Sequence, residues 1–119
     1  MSDEPAVVQK AYDLVLWAVP AIAKFPRSYR FVLGERMENA LYDVLEGLIE
    51  ARYDRGRRPE LLARVNVWLE KLRFQSRLAR DLNVLGIKQY EHFARLADEV
   101  GRQVGGWAKS CRGAPGGGQ

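Results

Sequence analysis

Apolar residues recur every three or four positions along four stretches of this 119-residue chain. Such spacing places them on one face of a helix, because an α-helix completes a turn about every 3.6 residues. The four predicted helices cover about residues 4–24, 29–55, 59–83 and 87–109. No stretch shows the alternation that is typical of a strand. With short connections, the predicted fold class is all-α, an up-down-up-down four-helix bundle.

Each predicted helix contributes one apolar face to a common core. The positions assigned to this core in the first two helices are Val7, Ala11, Leu14, Ala18, Ala21, Leu33, Met37, Leu41, Val44, Leu48 and Ala51. In the third helix a heptad pattern selects Leu61, Val65, Trp68, Leu72, Gln75, Ala79 and Leu82. In the fourth they are Tyr90, Phe93, Ala94, Leu96, Ala97, Val100 and Val104. Gln75 is the one polar residue in this set.

Glycines lie inside the predicted helices at Gly34, Gly47, Gly101 and Gly105. Each is expected to destabilise its helix by about 1 kcal/mol relative to alanine. We interpret them as sites where a neighbouring element approaches the helix closely. Gly56 is expected to cap the second helix, and Pro59 suits the first turn of the third.

Some apolar residues lie away from the assigned core faces. They are Tyr42, Ile49 and Tyr53 on the second helix, and Val67, Phe74 and Leu78 on the third. An apolar surface of this extent usually marks association with another protein. We therefore predict an oligomer interface at Tyr42, Ile49, Tyr53, Phe74 and Leu78. The alternative is that neighbouring helices of the same bundle cover these residues.

The connection KFPRSYRF, residues 24–31, is rich in cationic and aromatic side chains. We expect Phe25, Phe31 and Tyr29 to pack the corner between the first two helices. Arg30 is expected to close this corner by donating hydrogen bonds to helix-end carbonyls. Arg27 remains a candidate contact for a partner.

The net charge of +4 is concentrated in one part of the chain. Residues 56–88 hold eight basic side chains and three acidic ones. Within them Arg73, Arg77 and Arg80 project together from the third helix, with Asp81 as the expected acidic neighbour. Lys88 follows at the start of the fourth helix, where the helix dipole disfavours a cation. This surface is predicted to bind phosphate groups, the alternative being an ordinary solvated helix face.

Catalytic and cofactor signatures are absent from the sequence. His92 is the only histidine, and position 89, three residues before it, is glutamine, so the carboxylate–histidine pattern of di-iron bundles is missing. No phosphate-binding loop is present. We therefore expect a protein that is not an enzyme and needs no metal or cofactor.

The remaining features concern location and domain limits. The polar start and the lack of an apolar run of about 18 residues predict neither a signal peptide nor a membrane helix. The single cysteine, Cys111, allows no intramolecular disulfide, which fits a cytoplasmic protein. We expect one domain over residues 1–110 and a disordered Gly-rich tail over 111–119.

Four segments together resemble a known family. They are AYDLVLWAVPAIAKFPRS (11–28), KFPRSYRFVLGERMENALYDVLEGLIEARY (24–53), LRFQSRLARDLNVLGIKQYEHF (72–93) and EVGRQVGGWAKS (99–110). They are similar to the accessory variability proteins (Avd) of bacterial and phage diversity-generating retroelements. These belong to a wider four-helix-bundle family that includes proteins encoded in 23S rRNA intervening sequences. The resemblance covers about residues 8–110.

The resemblance implies a function as well as a fold. Similar proteins form ring-shaped homopentamers with a basic surface, have no known catalysis, and bind nucleic acid and the reverse transcriptase of the element. They support mutagenic retrohoming, in which a template RNA is copied with errors to diversify a target gene. Carried over, nucleic-acid contact falls on Arg73 and Arg77, with Arg80 and Lys88 as further candidates. Arg27, the candidate partner contact of the first connection, is added to this predicted nucleic-acid surface. The implied ligand is template RNA or an RNA–DNA hybrid, in a bacterial cytoplasm.

Two other functions remain open from the sequence. One is an rRNA-associated bundle of the intervening-sequence type, without a reverse transcriptase partner. The other is an adaptor between proteins, which would show no salt-sensitive binding of nucleic acid. The pentamer follows from the resemblance alone.

Overall fold

Four long helices form the part of the chain described by the computed structural model, residues 4–113. They are α1 (Glu4–Ala23), α2 (Glu35–Tyr53), α3 (Arg58–Asp81) and α4 (Ile87–Gly113). These described residues include no strand, so the all-helical prediction is confirmed. α4 continues to Gly113, and residues 114–119, which hold most of the predicted tail, lie outside the described residues.

One apolar core lies between the four helices. α1 packs on α2 and α4, and α3 packs on the same two helices. The largest fully buried side chains are Phe93, Leu14, Met37, Leu41, Leu48, Leu62, Leu69 and Leu72. They come from all four helices, so each helix is held to the others by the free energy of burying its apolar face.

The predicted core of α3 is only partly correct. The positions that are buried as predicted are Leu61, Val65, Leu72 and Ala79. The positions that are half-buried or exposed are Trp68, Gln75 and Leu82. The helix instead also buries Leu62, Leu69 and Ser76. A straight helix drifts from a strict seven-residue repeat, because its turn is 3.6 rather than 3.5 residues.

The corner between α1 and α2 is closed by Phe25 and Arg30. Phe25 is buried, and its backbone N–H donates to the Ile22 carbonyl at 2.9 Å. The Nη1 atom of Arg30 donates to the Ala23 carbonyl at 3.5 Å, as predicted for this arginine. The expectation for Phe31 is wrong, since this ring is 61% exposed. The chain passes here through a short helical turn (Arg27–Tyr29) and a π-helical turn (Arg30–Gly34), whose wider winding changes the direction of successive side chains.

Two of the helix glycines lie where a neighbour leaves no room for a side chain. A Cβ atom on Gly34 would lie 3.0 Å from Cγ2 of Ile22. On Gly47 it would lie 2.9 Å from side-chain atoms of both Val65 and Trp68. The predicted close approach is therefore confirmed at these positions. It is wrong for Gly105, where no heavy atom lies within 4 Å of such a Cβ.

Arg58 caps the end of α2 after the chain has turned into α3. Its Nε donates to the Ala51 carbonyl at 2.7 Å, and its Nη2 donates to the Arg52 carbonyl at 3.0 Å. These carbonyls belong to the last turn of α2, where no further helical N–H is available. The guanidinium also lies 5.1 Å from the ring centre of Trp107 on α4. The cap predicted at Gly56 is thus replaced by a side chain that touches three helices.

The turn between α3 and α4 depends on a left-handed residue. Asn83 has φ of 61°, a conformation that asparagine adopts more readily than most residues. The backbone N–H groups of Val84 and Leu85 both donate to the Ala79 carbonyl. The chain then enters α4, where the Gln89 side chain accepts the Gly86 N–H at 3.1 Å. This turn buries Leu85 at the end of the bundle.

α1 is more apolar than we predicted from the sequence. Its segment Ala6–Ala23 has a mean hydropathy of 1.3 over 18 residues, which is long and apolar enough to cross a bilayer by length and composition alone. The expected lack of such a run is therefore wrong. Core helices of bundles pass the same test, but only 28% of this segment is buried. α1 thus has apolar surface that the core does not use.

Candidate nucleic-acid interface

Arg73 lies on the flank of α3 that faces α4 and is held by two carboxylates. Its Nη1 lies 3.2 Å from Oε1 of Glu70, one turn earlier on α3. Its Nε lies 3.3 Å from Oδ1 of Asp98 on α4. The expectation that this arginine has no acidic neighbour except Asp81 is wrong: Glu70 is a local partner that the sequence reasoning overlooked, and Asp98 is close only in the fold.

Gly101 makes room for the Arg73 side chain. A Cβ atom at position 101 would lie 2.6 Å from Nη2 of Arg73. The glycine was predicted to allow a close approach, and the group that approaches is this guanidinium. Arg73 therefore links α3 to α4, which leaves less of its hydrogen-bonding capacity for an external phosphate.

Arg80 is also partly neutralised. Its Nε and Nη2 both donate to Oδ1 of Asp81, at 3.0 and 2.8 Å. This hydrogen bonding raises the pKa of Arg80 further above its already high usual value. The guanidinium lies 4.7 Å from the ring centre of Tyr90, the first aromatic residue of α4.

Of the three arginines of α3 that were predicted to bind phosphate, Arg77 is the most available. It is exposed, and none of the ion pairs among residues 4–113 involves it. It lines a shallow depression of about 200 Å³ together with Glu70, Arg73, Phe74 and Tyr90. Arg80 does not line this depression, but its guanidinium lies over the Tyr90 ring that does.

Lys88 and Arg27 are placed differently from these three. Lys88 is exposed on the first turn of α4, two positions before Tyr90, and such a pair points to different sides of a helix. Arg27 is exposed on the short turn after α1. No recorded contact within residues 4–113 joins Lys88 or Arg27 to the three arginines, so the fold does not bring either of them into this group.

Another charged pair lies on α4. The Glu99 carboxylate accepts hydrogen bonds from Arg102 at 2.6 Å and from Gln103 at 2.7 Å. These bonds lower the pKa of Glu99 from 4.5 to about 2. Arg102 is thereby paired within its own helix, in contrast to Arg77.

The residues predicted to form an oligomer interface are all on the surface. Their exposed fractions are 37% for Tyr42, 41% for Ile49, 77% for Tyr53, 60% for Phe74 and 48% for Leu78. Desolvation, and then the charge of Glu38, raise the pKa of Tyr42. Neighbouring helices of the same bundle do not cover these side chains.

Sequence reasoning missed several exposed apolar side chains. They are Tyr12 and Leu16 on α1, and Phe31 and Val32 in the π-helical turn. Phe31 and Val32 line a groove of about 480 Å³ between α2 and α3, together with Trp68 and Gln75. The high hydropathy of α1 was the signal for the first pair. For the second pair no signal existed, because the π-helical turn has no sequence pattern that we could detect.

His92 packs against an aromatic residue of α1. Its ring is half-buried, 4.8 Å from the ring centre of Trp17, and packs between α1 and α4. Within residues 4–113 no group of three or more His, Cys, Asp or Glu side chains is placed to hold a metal ion.

Comparison with known families agrees with the helical architecture. A family model described as bAvd-like matches residues 6–111. This range covers all four helices, from α1 to the last turns of α4. No curated protein matches the chain. Because the match extends over nearly the whole chain, the protein belongs to the bAvd-like family.

Proposed function

We propose that this protein is a non-enzymatic accessory factor of a diversity-generating retroelement. In this role it binds template RNA or an RNA–DNA hybrid and associates with the reverse transcriptase of the element, in the cytoplasm of a bacterium. Membership of the bAvd-like family supports the accessory role. The observation that carries nucleic-acid binding is the unpaired, exposed Arg77, one helical turn from Arg80 in the most basic part of the chain.

The proposed contact surface centres on Arg77 rather than on Arg73. Guanidinium groups without a carboxylate partner are free to bind phosphate oxygens, and each such contact releases counterions from the nucleic acid. Arg73 already has two carboxylate partners and serves mainly to join α3 to α4. Contacts to phosphates carry no direct sequence information, so binding should be weakly sequence-specific.

The experiment is a salt titration of RNA binding for Arg77→Gln. We expect weaker binding at every salt concentration and a slope of log K against log salt that is smaller by about 1. Arg102→Gln is the matched control, since it removes the same charge from an arginine already paired with Glu99. Wild-type affinity and slope for Arg77→Gln would contradict the assignment of this surface.

We also propose that the helices run up-down-up-down. Three observations support this order. Arg58 at the start of α3 lies on Trp107 near the end of α4. Trp17 near the end of α1 lies on His92 near the start of α4. Consecutive helices are joined by turns too short to span the length of the bundle.

The same proposal includes a ring-shaped homo-oligomer, with five subunits by family resemblance. Gly47 and Val65 mark the contact of α2 with α3. At 100° per residue, Ile49 and Tyr42 point about 140–160° away from Gly47 on α2. Phe74 and Leu78 point about 140–180° away from Val65 on α3.

Ile49 and Tyr42 form an apolar patch on α2, and Phe74 and Leu78 form a second one on α3. These two apolar patches therefore lie on different sides of the protomer. A closed ring with cyclic symmetry needs two such complementary surfaces on each subunit, because its interface is heterologous. Tyr53, at the end of α2, is placed at the rim of the first patch, where an interface stays open to solvent.

A further inference from the structure

The turn between α2 and α3 holds a second concentration of positive charge, at the opposite end of α3 from Arg77. Residues 52–58, RYDRGRR, contain four arginines and one aspartate. The aspartate, Asp54, uses its carboxylate to accept the backbone N–H of Arg57 at 3.1 Å, which shapes the turn. No ion pair among the described residues joins Asp54 to an arginine of this turn.

The arginines of this turn have separate roles. Arg58 is committed to the carbonyls at the end of α2. Arg57 lies 3.7 Å from Glu60, an exposed pair of the kind that contributes little. Arg52 and Arg55 are exposed, and no ion pair among the described residues involves them. Three cationic side chains thus remain available to an anionic ligand.

An open aromatic ring lies among these cations. Tyr53 is 77% exposed, more than any other large apolar or aromatic side chain described as exposed. The guanidinium of Arg52 lies 5.7 Å from its ring centre, so one side of the ring is flanked by positive charge and the remainder is open. Arg30 likewise lies over the exposed Phe31 ring, but its guanidinium already donates a hydrogen bond to the Ala23 carbonyl.

We infer that this turn, defined by Arg52, Tyr53, Arg55 and Arg57, binds single-stranded nucleic acid. An unpaired base stacks on the Tyr53 ring, and the arginines hold the adjacent phosphates. Exposed aromatic rings interleaved with arginines bind unstacked bases, which duplexes do not offer, because their bases are already stacked on one another. The inference goes beyond the proposed function, since it uses a different surface from that of Arg77.

The test compares a labelled oligouridylate with a blunt-ended RNA duplex by fluorescence anisotropy, using the full chain. Tyr53→Ala is expected to weaken oligouridylate binding about 5- to 150-fold and to leave duplex binding unchanged. Tyr53→Phe keeps the stacking surface and should bind as the wild type does. The double variant Arg55→Gln with Arg57→Gln should reduce the salt slope for the single strand by about 1.4.

Tyr12→Ala is the matched control, because it removes an exposed tyrosine that has no arginine over its ring among the described residues. Its oligouridylate affinity should equal that of the wild type. Equal losses in Tyr12→Ala and Tyr53→Ala, or equal losses for single strand and duplex, would overturn the inference. Light-scattering mass is measured for each variant, and a lower mass for Tyr53→Ala with unchanged oligouridylate affinity would assign Tyr53 to subunit contact instead.

The outcomes for the two surfaces are separable. Normal binding by Tyr53→Ala together with weak binding by Arg77→Gln would reject the turn and leave the proposed function intact. The reverse result would reject the Arg77 surface and retain the turn.

Discussion

Arginines that look equivalent in the sequence differ in what their guanidinium groups contact. Arg73 and Arg77 are separated by one helical turn, and the charge pattern treats them alike. In the fold Arg73 reaches Asp98 and lies over Gly101, whereas Arg77 has no carboxylate partner among the described residues. The availability of a guanidinium therefore depends on the neighbouring helix, and of these two arginines Arg77 is the exposed one without a carboxylate partner.

The glycines of the helices allow a test at the same scale. Gly47→Ala places a Cβ atom against Val65 and Trp68, and such overpacking is expected to lower the free energy of unfolding by about 1–3 kcal/mol. Gly105→Ala meets no atom within 4 Å and should instead raise it by about 0.5–1 kcal/mol, because alanine favours the helix. Urea unfolding of both variants checks this. A stabilised Gly47→Ala would show that α2 and α3 are not in close contact there.

At the level of elements, the helix ends are stabilised by side chains from other parts of the chain. α2 ends at Tyr53, and its last carbonyls are bonded by Arg58 of α3. The same guanidinium lies on Trp107 of α4. One residue thus connects the ends of three helices, which the local turn sequence does not reveal.

Arg58→Ala tests this connection. Loss of the two charged hydrogen bonds should lower the free energy of unfolding by about 1–3 kcal/mol. Arg57→Ala is the neighbouring control, and loss of its exposed pair with Glu60 should change that free energy by less than about 1 kcal/mol. Chemical denaturation measures both variants. Similar effects for the two would mean that the capping bonds add nothing beyond surface charge.

For the whole molecule, the two apolar patches predict a specific pattern of association. Ile49→Asp damages the patch on α2, and Phe74→Asp damages the patch on α3. In a heterologous ring each variant alone should be monomeric, because every subunit needs both surfaces. A mixture should form dimers, because each variant still carries one intact surface that complements the other. Light-scattering mass provides the measurement, with the wild type expected near five subunits.

Two outcomes would contradict this arrangement. If both variants keep the wild-type mass, the patches are not the subunit contacts. If the mixture stays monomeric while each single variant has lost its assembly, the two patches do not contact each other.

Much of the helical architecture could be predicted because it depends on local periodicity. The ends of α1 and α3 and the start of α4 lie within a few residues of the predicted limits. The start of α2 could not be predicted, since the π-helical turn changes the winding of the chain without a distinct pattern. The burial of Ser76 in place of Gln75 was also missed, because a one-residue shift moves a side chain by 100° around the helix.

The sequence by itself determined the four amphipathic helices, the excess of positive charge in residues 56–88 and the resemblance to the accessory family. These depend on residue order alone, because periodicity and charge are properties of the chain. Only the tertiary structure decided that Arg73 is paired with Asp98 and that Tyr53 is open between arginines. Ion pairing and exposure depend on residues that are distant along the chain and meet only when the helices pack.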